Sequence, residues 1–325
     1  MDILQHEKQI HEYIKTIEHL KKQNQSNPLF TNEINKLEQK LESLKLEVYS
    51  KLTPWQRVSI ARHVSRPHTV DYIKSICTSF HELCGDRMFS DDQAIIGGIA
   101  KIGEMKCVII GQEKGFDTES RIHHNFGMMN PEGFRKAMRL MKLAEKFQLP
   151  VISLLDTAGA NPQLEAEERG QGWAIAHNLR EMSSLKTPII VVIIGEGFSG
   201  GALGIGVGDV IGMLEHACYS VISPEGCASI LWKDASKKSD AAAALMLNAE
   251  NMLELQIIDA IIKEPLGGAH HNPQVACERV KQFILEQWQI FKMIPTEILL
   301  EQRYLKFRRL GKFVSNPIDP VPNKS

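Results

Sequence analysis

The sequence predicts an α/β fold made of repeated strand–turn–helix units, and three observations carry that prediction. Apolar runs typical of buried strands, each followed by a glycine-containing turn and a helical pattern, recur between residues 107 and 232. The segment LPVI at 149–152 resembles TPII at 187–190, 38 residues further on. Each unit has the length expected for stacked ββα turns or for a doubly wound sheet. Ligands of such folds bind at the strand ends, which is where the glycines lie.

Length and charge limit the possible partners. The chain has 325 residues, 38 Lys and Arg against 39 Asp and Glu, and a formal net charge of −1. It carries no overall field that would attract nucleic acid or a membrane, so we expect neither as a partner. The stretch MDILQHEKQIHEYIK lacks the apolar core of a signal peptide, and no run reaches the roughly 18 apolar residues of a membrane span. We expect a soluble, cytoplasmic protein.

The cysteines and histidines give no metal-binding pattern. Six cysteines contain no C-x-x-C pair, so neither a zinc ribbon nor a disulfide framework is indicated, and buried thiols in a reducing compartment are expected. His123 and His124, like His270 and His271, are adjacent pairs without a third ligand in pattern. We expect no metal in this chain.

Residues 1–52 differ in pattern from the rest of the chain. Apolar residues recur at spacings of three and four over two stretches, separated by a break at Asn24–Pro28, which predicts a helical hairpin that docks on another surface. A large α/β domain is predicted over 53–293 and a helical extension over 294–313. The proline-rich tail 314–325 has nothing to bury and is predicted to be disordered.

Local signals place several elements of the large domain. Thr53 followed by Pro54 is typical of an N-cap and a first helical position, so a short helix begins there. AIIGGIAKI and CVIIG, joined by a short turn, predict a β-hairpin. Further helices are predicted from Pro131 and over AEERGQGWAIAHNLREMSSL at 166–185.

The stretch TPIIVVIIGEGFSGGALGIGVGD contains the strongest functional signal. Ile189–Ile194 is β-branched throughout, which suits a strand buried on both faces. Gly195, Gly197, Gly200 and Gly201 allow positive φ and close approach of a ligand, and a helix can begin at Gly200. Its unpaired N–H groups would form a nest for an anionic oxygen, and each such donor on a developing oxyanion is worth about 3 kcal/mol of barrier. The residues therefore favour a backbone anion hole.

The same glycines fit a dinucleotide-binding turn. Gly195-x-Gly197-x-x-Gly200 matches the dinucleotide fingerprint, which needs an acidic residue about 20 residues on, at the end of a second strand. Glu215 lies at that distance, but the sequence places it before the next strand instead of at a strand end. The match is weak, because such spacing is common in glycine-rich sequence.

A serine hydrolase is another alternative for this stretch. GFSGG matches the G-x-S-x-G nucleophile elbow with Ser199 as the nucleophile. A serine hydrolase also needs an acid and a histidine after the serine, and Asp209, Asp259, His270 and His271 could supply them. Nothing in the spacing of these four residues requires that they form a catalytic triad. A turn that only packs a helix on a strand stays open as well.

Four blocks in chain order resemble the alpha subunits of the multi-subunit bacterial acetyl-CoA carboxylase carboxyltransferase. The blocks are NFGMMNPEGFRKAMRLMKLAEKFQLP, LDTAGANPQLEAEERGQGWAIAHNLREMSSL, IGEGFSGGALGIGVGD and YSVISPEGCASILW. The resemblance runs from about residue 2 through the last helices. It implies a crotonase-type fold, a superhelix of repeated ββα turns, to which the N-terminal hairpin and the C-terminal helices are added. It also implies that 53–293 is the carboxyltransferase domain.

This resemblance implies an enzyme subunit that works with several partners. The family transfers the carboxyl group of carboxybiotin, held on a biotin carboxyl carrier protein, to acetyl-CoA, giving malonyl-CoA in the first committed step of fatty acid biosynthesis. The implied partners are a carboxyltransferase beta subunit in an α2β2 assembly, the carrier protein and biotin carboxylase. Biotin is not attached covalently to this chain, and the family's zinc ribbon belongs to the beta subunit.

The resemblance also implies roles for particular residues. The N–H groups of Gly200, Gly201 and Ala202 would donate to the ureido oxygen of biotin and are the predicted catalytic groups. The residues predicted to bind substrate are Gly159, Ala160 and Gly197 beside the turn, Lys114 and Arg121 toward a CoA phosphate, and Lys233 at the biotin entrance.

The chain departs from the family pattern close to the predicted site. Where the family usually reads DTPGAYPG this chain has DTAGANPQ, so Ala158, Asn161 and Gln163 replace Pro, Tyr and Gly. Phe198 stands where Gly is usual, and Gly204 where Ala is usual. These substitutions change the surroundings of the donors and leave the glycine turn itself intact.

Overall fold

A mixed β-sheet forms the centre of the computed structural model, which describes residues 4–26 and 30–311. Its strands are β1 (Ser79–Glu82), β2 (Ile95–Ile102), β3 (Met105–Gln112), β4 (Val151–Thr157), β5 (Ile189–Phe198), β6 (Val210–Leu214), β7 (Cys218–Ser220) and β8 (Ala260–Ile262). The strand order is β1-β2-β3-β4-β5-β6-β8, and β7 pairs with β5 beside this path.

Strand β5 joins two parts of the sheet. From β3 to β8 each neighbouring pair is parallel, whereas β1 and β2, and β2 and β3, are antiparallel. Residues 190–193 of β5 pair with β6, and residues 196–198 pair with β7. Every residue of β5 is buried, which explains its run of β-branched side chains without polar alternation. The strand predicted at Ile189–Ile194 is confirmed.

Helices follow most strands, and further helices form the N-terminal and C-terminal parts of the described chain. They are α1 (Lys8–Ser26), α2 (Thr31–Ser50), α3 (Pro54–Ala61), α4 (Thr69–Ile76), α5 (Thr118–His123), α6 (Pro131–Lys146), α7 (Leu164–Glu168), α8 (Gln171–Ser183), α9 (Ser199–Gly206), α10 (Pro224–Trp232), α11 (Lys238–Ala244), α12 (Ala249–Glu254), α13 (Pro273–Phe291) and α14 (Thr296–Arg308). Within the described ranges, none of them combines the length and the apolarity that crossing a membrane would need.

The helices cover both faces of the sheet. On β4, the Ser153 hydroxyl donates a 2.6 Å hydrogen bond to the carbonyl oxygen of Ile205 in α9, and α6 and α8 pack beside α9 on this face. The next residue, Leu154, points to the opposite face, where it lies near Gly111 and near Thr69 of α4. Helix α13 packs beside α4 there, so the core is covered on both sides.

The N-terminal helical hairpin is confirmed. Helices α1 and α2 pack against each other through the apolar stripes that predicted them. The buried residues of this contact are Ile10, Ile17, Ile34, Leu41 and Tyr49. Residues 27–29 of the predicted break, like the tail 314–325, lie outside the described residues. The division into domains at 52, 293 and 313 stays a prediction.

Two local predictions are confirmed and one is wrong. The Thr53 side chain accepts a hydrogen bond from the Gln56 backbone in a capping box at the start of α3, and β2 and β3 form the expected hairpin. The single helix predicted at 166–185 is instead divided into α7 and α8. Gly170 has φ 83°, a left-handed conformation that ends the first helix.

Arg303 anchors helix α14 to the body of the fold. Its side chain is 1% exposed, and its Nε and Nη2 atoms donate to the two carboxylate oxygens of Asp209 at 2.8 and 2.7 Å. The same guanidinium donates to the carbonyl oxygens of Met182, Leu185 and Thr187, at 2.7, 2.8 and 2.9 Å. One side chain therefore satisfies a buried carboxylate and three buried carbonyl groups.

We expect Arg303→Met to lower the free energy of unfolding by about 3–5 kcal/mol, because the buried Asp209 carboxylate would lose its partner. Urea unfolding of the full chain measures this loss. Arg308→Met, an exposed change in the same helix, is the matched control and should shift the free energy by less than about 0.5 kcal/mol. Equal effects of the two changes would contradict the anchoring role.

Candidate active site

The candidate site lies at the edge of the sheet where β3, β4 and β5 end. The last residues of these strands are Gln112, Thr157 and Phe198. Because the three strands are parallel, their carboxyl ends meet at the same edge. Two segments begin at this edge, the loop 158–163 after β4 and helix α9 after β5.

Helix α9 begins directly at the end of β5, without a connecting loop. Ser199 has φ 54°, in the left-handed region, and the predicted positive φ of Gly195, Gly197, Gly200 and Gly201 is wrong, since none of them has one. The serine makes the turn instead. Among the described residues no side chain caps this helix, so the N–H groups of Ser199, Gly200 and Gly201 have neither a side-chain cap nor an intrahelical partner, whereas Ala202 is the first residue whose N–H group the helix itself can pair.

Gly201 is the point where the first turn of α9 meets the loop after β4. A Cβ atom at Gly201 would lie 2.3 Å from the carbonyl carbon of Gly159, 2.5 Å from its oxygen and 2.7 Å from the Ala160 nitrogen. Only glycine permits this approach, because the obstructing atoms are backbone. The structure thus brings Gly159 and Ala160 against the predicted donor segment 200–202.

Gln112, which the sequence analysis did not select, connects the three strand ends. Its Nε2 atom donates a 2.7 Å hydrogen bond to the Gly201 carbonyl oxygen, and its Oε1 atom accepts one of 3.0 Å from the Asp156 backbone N–H. The side chain is fully buried. A polar residue at the end of the apolar run CVIIGQ is the signal in the sequence that could have identified it.

The loop after β4 is held by its own hydrogen bonds. Thr157 Oγ1 accepts a 3.1 Å hydrogen bond from the Gly159 N–H. Asn161, one of the departures from the family pattern, is buried, and its Nδ2 atom donates to Asn130 Oδ1 at 2.8 Å. Its Oδ1 atom accepts from the Gln163 N–H at 3.0 Å. Asn161 therefore stabilises the shape of the loop from within.

The departures at Phe198 and Gly204 have a packing explanation. Phe198 is fully buried in an apolar cluster that includes Cys218 and Leu247. A Cβ atom at Gly204 would lie 2.3 Å from a ring carbon of Phe134, so the ring occupies the space that an alanine would need. Both substitutions are accommodated inside the core.

A buried ion network lies beneath the turn. The Lys114 ammonium is 2.7 Å from Asp156 and 2.5 Å from Glu196. Burial alone would raise the pKa of Asp156, but Lys114 and the neighbouring His68 hold it well below its ordinary value. A Cβ atom at Gly195 would lie 2.3 Å from the Asp156 carboxylate, so this glycine makes room for the network.

The network gives Lys114 partners within the chain, while its predicted contact with a CoA phosphate stays a prediction. The side chain is 13% exposed and its ammonium has two carboxylates as partners, so it holds the ends of β4 and β5 together. Arg62 extends the network to the surface, with its Nε atom 2.6 Å from Glu196 and its Nη1 atom 2.6 Å from Glu225 of α10. Helices α3 and α10 are thereby tied to the end of β5.

The remaining predicted residues lie around this centre. Gly197 is buried within β5, where a Cβ atom would be 2.9 Å from the ring of Tyr219. Arg121 is half-buried in α5, and Lys233 is exposed at the C-terminus of α10. In the part of the chain that the structure describes, neither of these two cations forms an ion pair with a carboxylate. Both are therefore available to a charged ligand.

An apolar cavity of about 380 Å³ opens beside the start of α9. It is lined by Ser199, Leu203, Tyr219, Ser220, Val221, Leu245, Met252, Leu255 and Ile257. Burial raises the pKa of Tyr219 to about 12, so the phenol stays neutral in this wall. The cavity can accept an apolar group next to the uncapped donors.

The geometry does not favour the serine hydrolase alternative. Within the described ranges the Ser199 hydroxyl has no hydrogen-bond partner. Asp209 and Asp259 each pair with a basic residue of α14. His270 and His271 lie against a carboxylate at the start of the N-terminal hairpin. None of the four candidates is a base or an orienting acid for the serine.

The dinucleotide alternative also lacks its geometry. Gly195 and Gly197 lie inside β5 and not in a turn. Glu215 does follow a strand, β6, so the expectation that it only precedes one is wrong. Its carboxylate, however, pairs with Lys263 at 2.8 Å and accepts from the backbone N–H of Glu264 at 3.1 Å. It is occupied by the protein instead of facing a ribose.

Sequence comparison decides between the alternatives. A family model described as acetyl co-enzyme A carboxylase carboxyltransferase-like matches residues 3–311. The chain is 73% identical over 314 residues to the acetyl-coenzyme A carboxylase carboxyl transferase subunit alpha of Protochlamydia amoebophila, which covers 97% of this chain and 99% of that protein. The chain belongs to the acetyl-CoA carboxylase carboxyltransferase alpha-subunit family. The subunit of the same name from Chlamydia trachomatis serovar L2 is 59% identical over 314 residues, 96% of this chain and 97% of that protein.

Solved structures show the fold of this alpha-subunit family member. Transcarboxylase 12S aligns with a TM-score of 0.54 and 14% identity, over 82% of this chain and 46% of that chain. The beta subunit of geranyl-CoA carboxylase from P. aeruginosa gives 0.55 and 13%, over 78% and 45%. A chain of a Pseudomonas malonate decarboxylase hetero-tetramer gives 0.57 and 12%, over 74% and 96%. The crotonase-type α/β fold that the resemblance implied is confirmed.

We expect Lys114→Met to destabilise the protein by about 3–5 kcal/mol, because two buried carboxylates would lose their shared cation. The free energy of urea unfolding measures this. Lys101→Met removes a lysine from an exposed pair with Glu104 and is the matched control, expected to cost less than about 1 kcal/mol. A stable Lys114→Met protein that has lost only affinity for CoA would instead favour the predicted phosphate-binding role over the structural one.

Proposed function

We propose that this chain is the alpha subunit of an acetyl-CoA carboxylase carboxyltransferase, which transfers a carboxyl group from carboxybiotin on a biotin carboxyl carrier protein to acetyl-CoA and forms malonyl-CoA. This reaction commits carbon to fatty acid biosynthesis. The observation that carries the proposal is the uncapped first turn of α9, held against the 159–160 loop by the close approach at Gly201. Membership of the alpha-subunit family supports the reaction class.

The residues at this turn fit a biotin-derived substrate. Carboxybiotin supplies an activated carboxyl group when it is bound. The N–H groups of Gly200, Gly201 and Ala202 would donate to its ureido oxygen, where negative charge increases as the carboxyl group leaves. Two of these residues have no side chain that would keep a flat ring at a distance. Gly159 and Ala160 would form the opposite side of the same opening.

Rigidity of the backbone is what makes these donors useful. A donor that is fixed before the reaction stabilises developing charge without a reorganisation cost. Gln112 holds the Gly201 carbonyl group from below, and the Lys114 network fixes the ends of β4 and β5. The donors are thus supported by buried polar contacts and not by the exposed loop alone.

The chain supplies only part of the site, and an alpha-subunit family implies a partner beta subunit. We propose that the beta subunit forms an α2β2 assembly with it and provides most of the acetyl-CoA site. Exposed apolar side chains at the cavity and at the end of α10 support such a contact, since monomers rarely expose large apolar patches. These side chains are Leu203, Val221 and Leu255 at the cavity, and Ile230, Leu231 and Trp232 in α10. Biotin carboxylase would complete the cytoplasmic complex.

The two unpaired cations keep the roles predicted for them within this proposal. Lys233 lies at the exposed end of α10, on the same helix as Trp232, and would border the path by which biotin enters. Arg121 in α5 would meet a phosphate of CoA, the role that was also predicted for Lys114. Gly197 supports the site from within β5.

We expect Gly201→Ala to lower kcat by about 10²–10³-fold, because the new Cβ atom would push α9 away from the 159–160 backbone and misdirect its donors. The measurement is malonyl-CoA decarboxylation with free biotin, in the presence of the beta subunit. Gly172→Ala is the matched control, since a Cβ atom there meets open space. Its kcat should equal that of the wild type.

A second measurement distinguishes misdirected N–H donors from a failure of the variant to fold or assemble. The Gly201→Ala subunit should still assemble with the beta subunit, as measured by sedimentation. An assembled variant with unchanged turnover would refute the proposed donors.

We expect Ser199→Ala to retain at least about half of the wild-type turnover. The hydroxyl has no hydrogen-bond partner in the described part of the chain, and the backbone N–H groups of the turn are unchanged by the substitution. Turnover in the decarboxylation assay and labelling by a fluorophosphonate probe are the measurements. Complete loss of activity together with labelling of Ser199 in the wild type would support the hydrolase alternative instead.

A further inference from the structure

Three potential metal ligands meet where the start of the chain contacts the loop before α13. Glu7 offers a carboxylate, and His270 and His271 offer ring nitrogens, with all three ligand atoms within 4.8 Å of one another. Glu7 Oε1 is 3.2 Å from His271 Nε2 and 3.8 Å from His270 Nε2. This cluster has no part in the carboxyltransferase site described above.

His270 is buried without the partners that its ring requires. Its side chain is 4% exposed, and among the described residues neither ring nitrogen has a hydrogen-bond partner. Buried polar atoms are almost always paired, so an unpaired imidazole needs an explanation. Burial lowers the pKa of His270 and so keeps the ring neutral, the form that coordinates a metal.

Neighbouring aromatic groups hold the three ligands in place. The Tyr49 hydroxyl donates a 2.8 Å hydrogen bond to Glu7 Oε1 and lies 3.3 Å from His271 Nε2. The ring of His63 stacks on that of His270, with centroids 4.0 Å apart. Outer contacts of this kind orient metal ligands and tune their basicity.

Two glycines shape the loop so that these groups can converge. Gly267 has φ 93° and Gly268 has φ 119°, both in the region that favours glycine. A Cβ atom at Gly267 would lie 2.5 Å from the His271 ring and 2.8 Å from the Tyr49 ring. A Cβ atom at Gly268 would lie 3.1 Å from the His270 ring. The loop is therefore built around the histidines.

The distances suit a small divalent cation. Zinc bonds of about 2.0–2.1 Å in tetrahedral geometry place neighbouring ligand atoms about 3.3 Å apart. The two separations from Glu7, 3.2 and 3.8 Å, lie on either side of that value. Two imidazoles and one carboxylate are also a donor set that zinc and its neighbours in the transition series accept.

We propose that Glu7, His270 and His271 bind one divalent transition-metal ion, for which zinc is the best match, and that this ion pins the N-terminal hairpin to the loop before α13. The expectation of no metal in this chain rested on the absence of a third ligand near the histidines. Glu7 supplies it from 264 positions before His271, a distance at which no spacing pattern is visible.

The test is a titration of zinc into the full chain, after a chelator has removed any bound metal. Isothermal titration calorimetry measures the binding. We expect one tight site per chain and a rise in the thermal unfolding midpoint on adding zinc. His271→Ala should weaken zinc binding at least tenfold and abolish that rise. The His271 side chain is 43% exposed, so its removal should leave the fold intact.

Three further variants decide the outcome. Glu7→Gln keeps the side-chain size and should also weaken zinc binding. His81→Ala removes an exposed histidine elsewhere in the chain, and Cys84→Ser removes an exposed thiol. Neither change should alter the affinity for zinc. The proposal is overturned if the wild type shows no stoichiometric site. It is equally overturned if zinc affinity is unchanged in both His271→Ala and Glu7→Gln, or lost in Cys84→Ser.

Discussion

The close approach of two backbones at Gly201 is the constraint on which the candidate site depends. Helix α9 can lie against the loop after β4 only because Gly201 has no side chain, and a Cβ atom would come within 2.3 Å of Gly159. This contact places the uncapped first turn of the helix beside the end of a second strand. Ser199, whose backbone has a left-handed φ of 54°, makes the turn from β5 into the helix just before this contact.

The polar interior beneath this contact explains why the arrangement holds. Buried charges are costly unless each has partners, and here Lys114 lies between Asp156 and Glu196 while Gln112 links β3 to both segments. Apolar residues of similar size in place of these groups would preserve the volume of the core. They would not fix the direction of the carbonyl and N–H groups at the strand ends, which is the property that the site requires.

The sequence predicted the elements that have a local signature and missed the contacts that have none. The buried run before Gly195, the hairpin of α1 and α2 and the cap at Thr53 follow from periodicity and from capping chemistry within a few residues. The pairing of Lys114 with carboxylates 42 and 82 positions later follows only from the fold, so no local signal in the sequence could show this structural role. Glycine-rich composition likewise could not show that Ser199 takes the positive φ.

The position of the proposed donors beside an open cavity leads to a last physical step. Hydrogen bonds to a developing charge are strong only where water is excluded, since the effective dielectric constant sets their strength. In the single chain, the first turn of α9 borders a cavity whose rim includes the exposed side chains of Leu203 and Val221. A partner that covers these side chains would bury apolar area and, by the same contact, exclude water from the N–H donors. Under the proposed function, assembly with a beta subunit and exclusion of water from these N–H groups would therefore be two results of one burial.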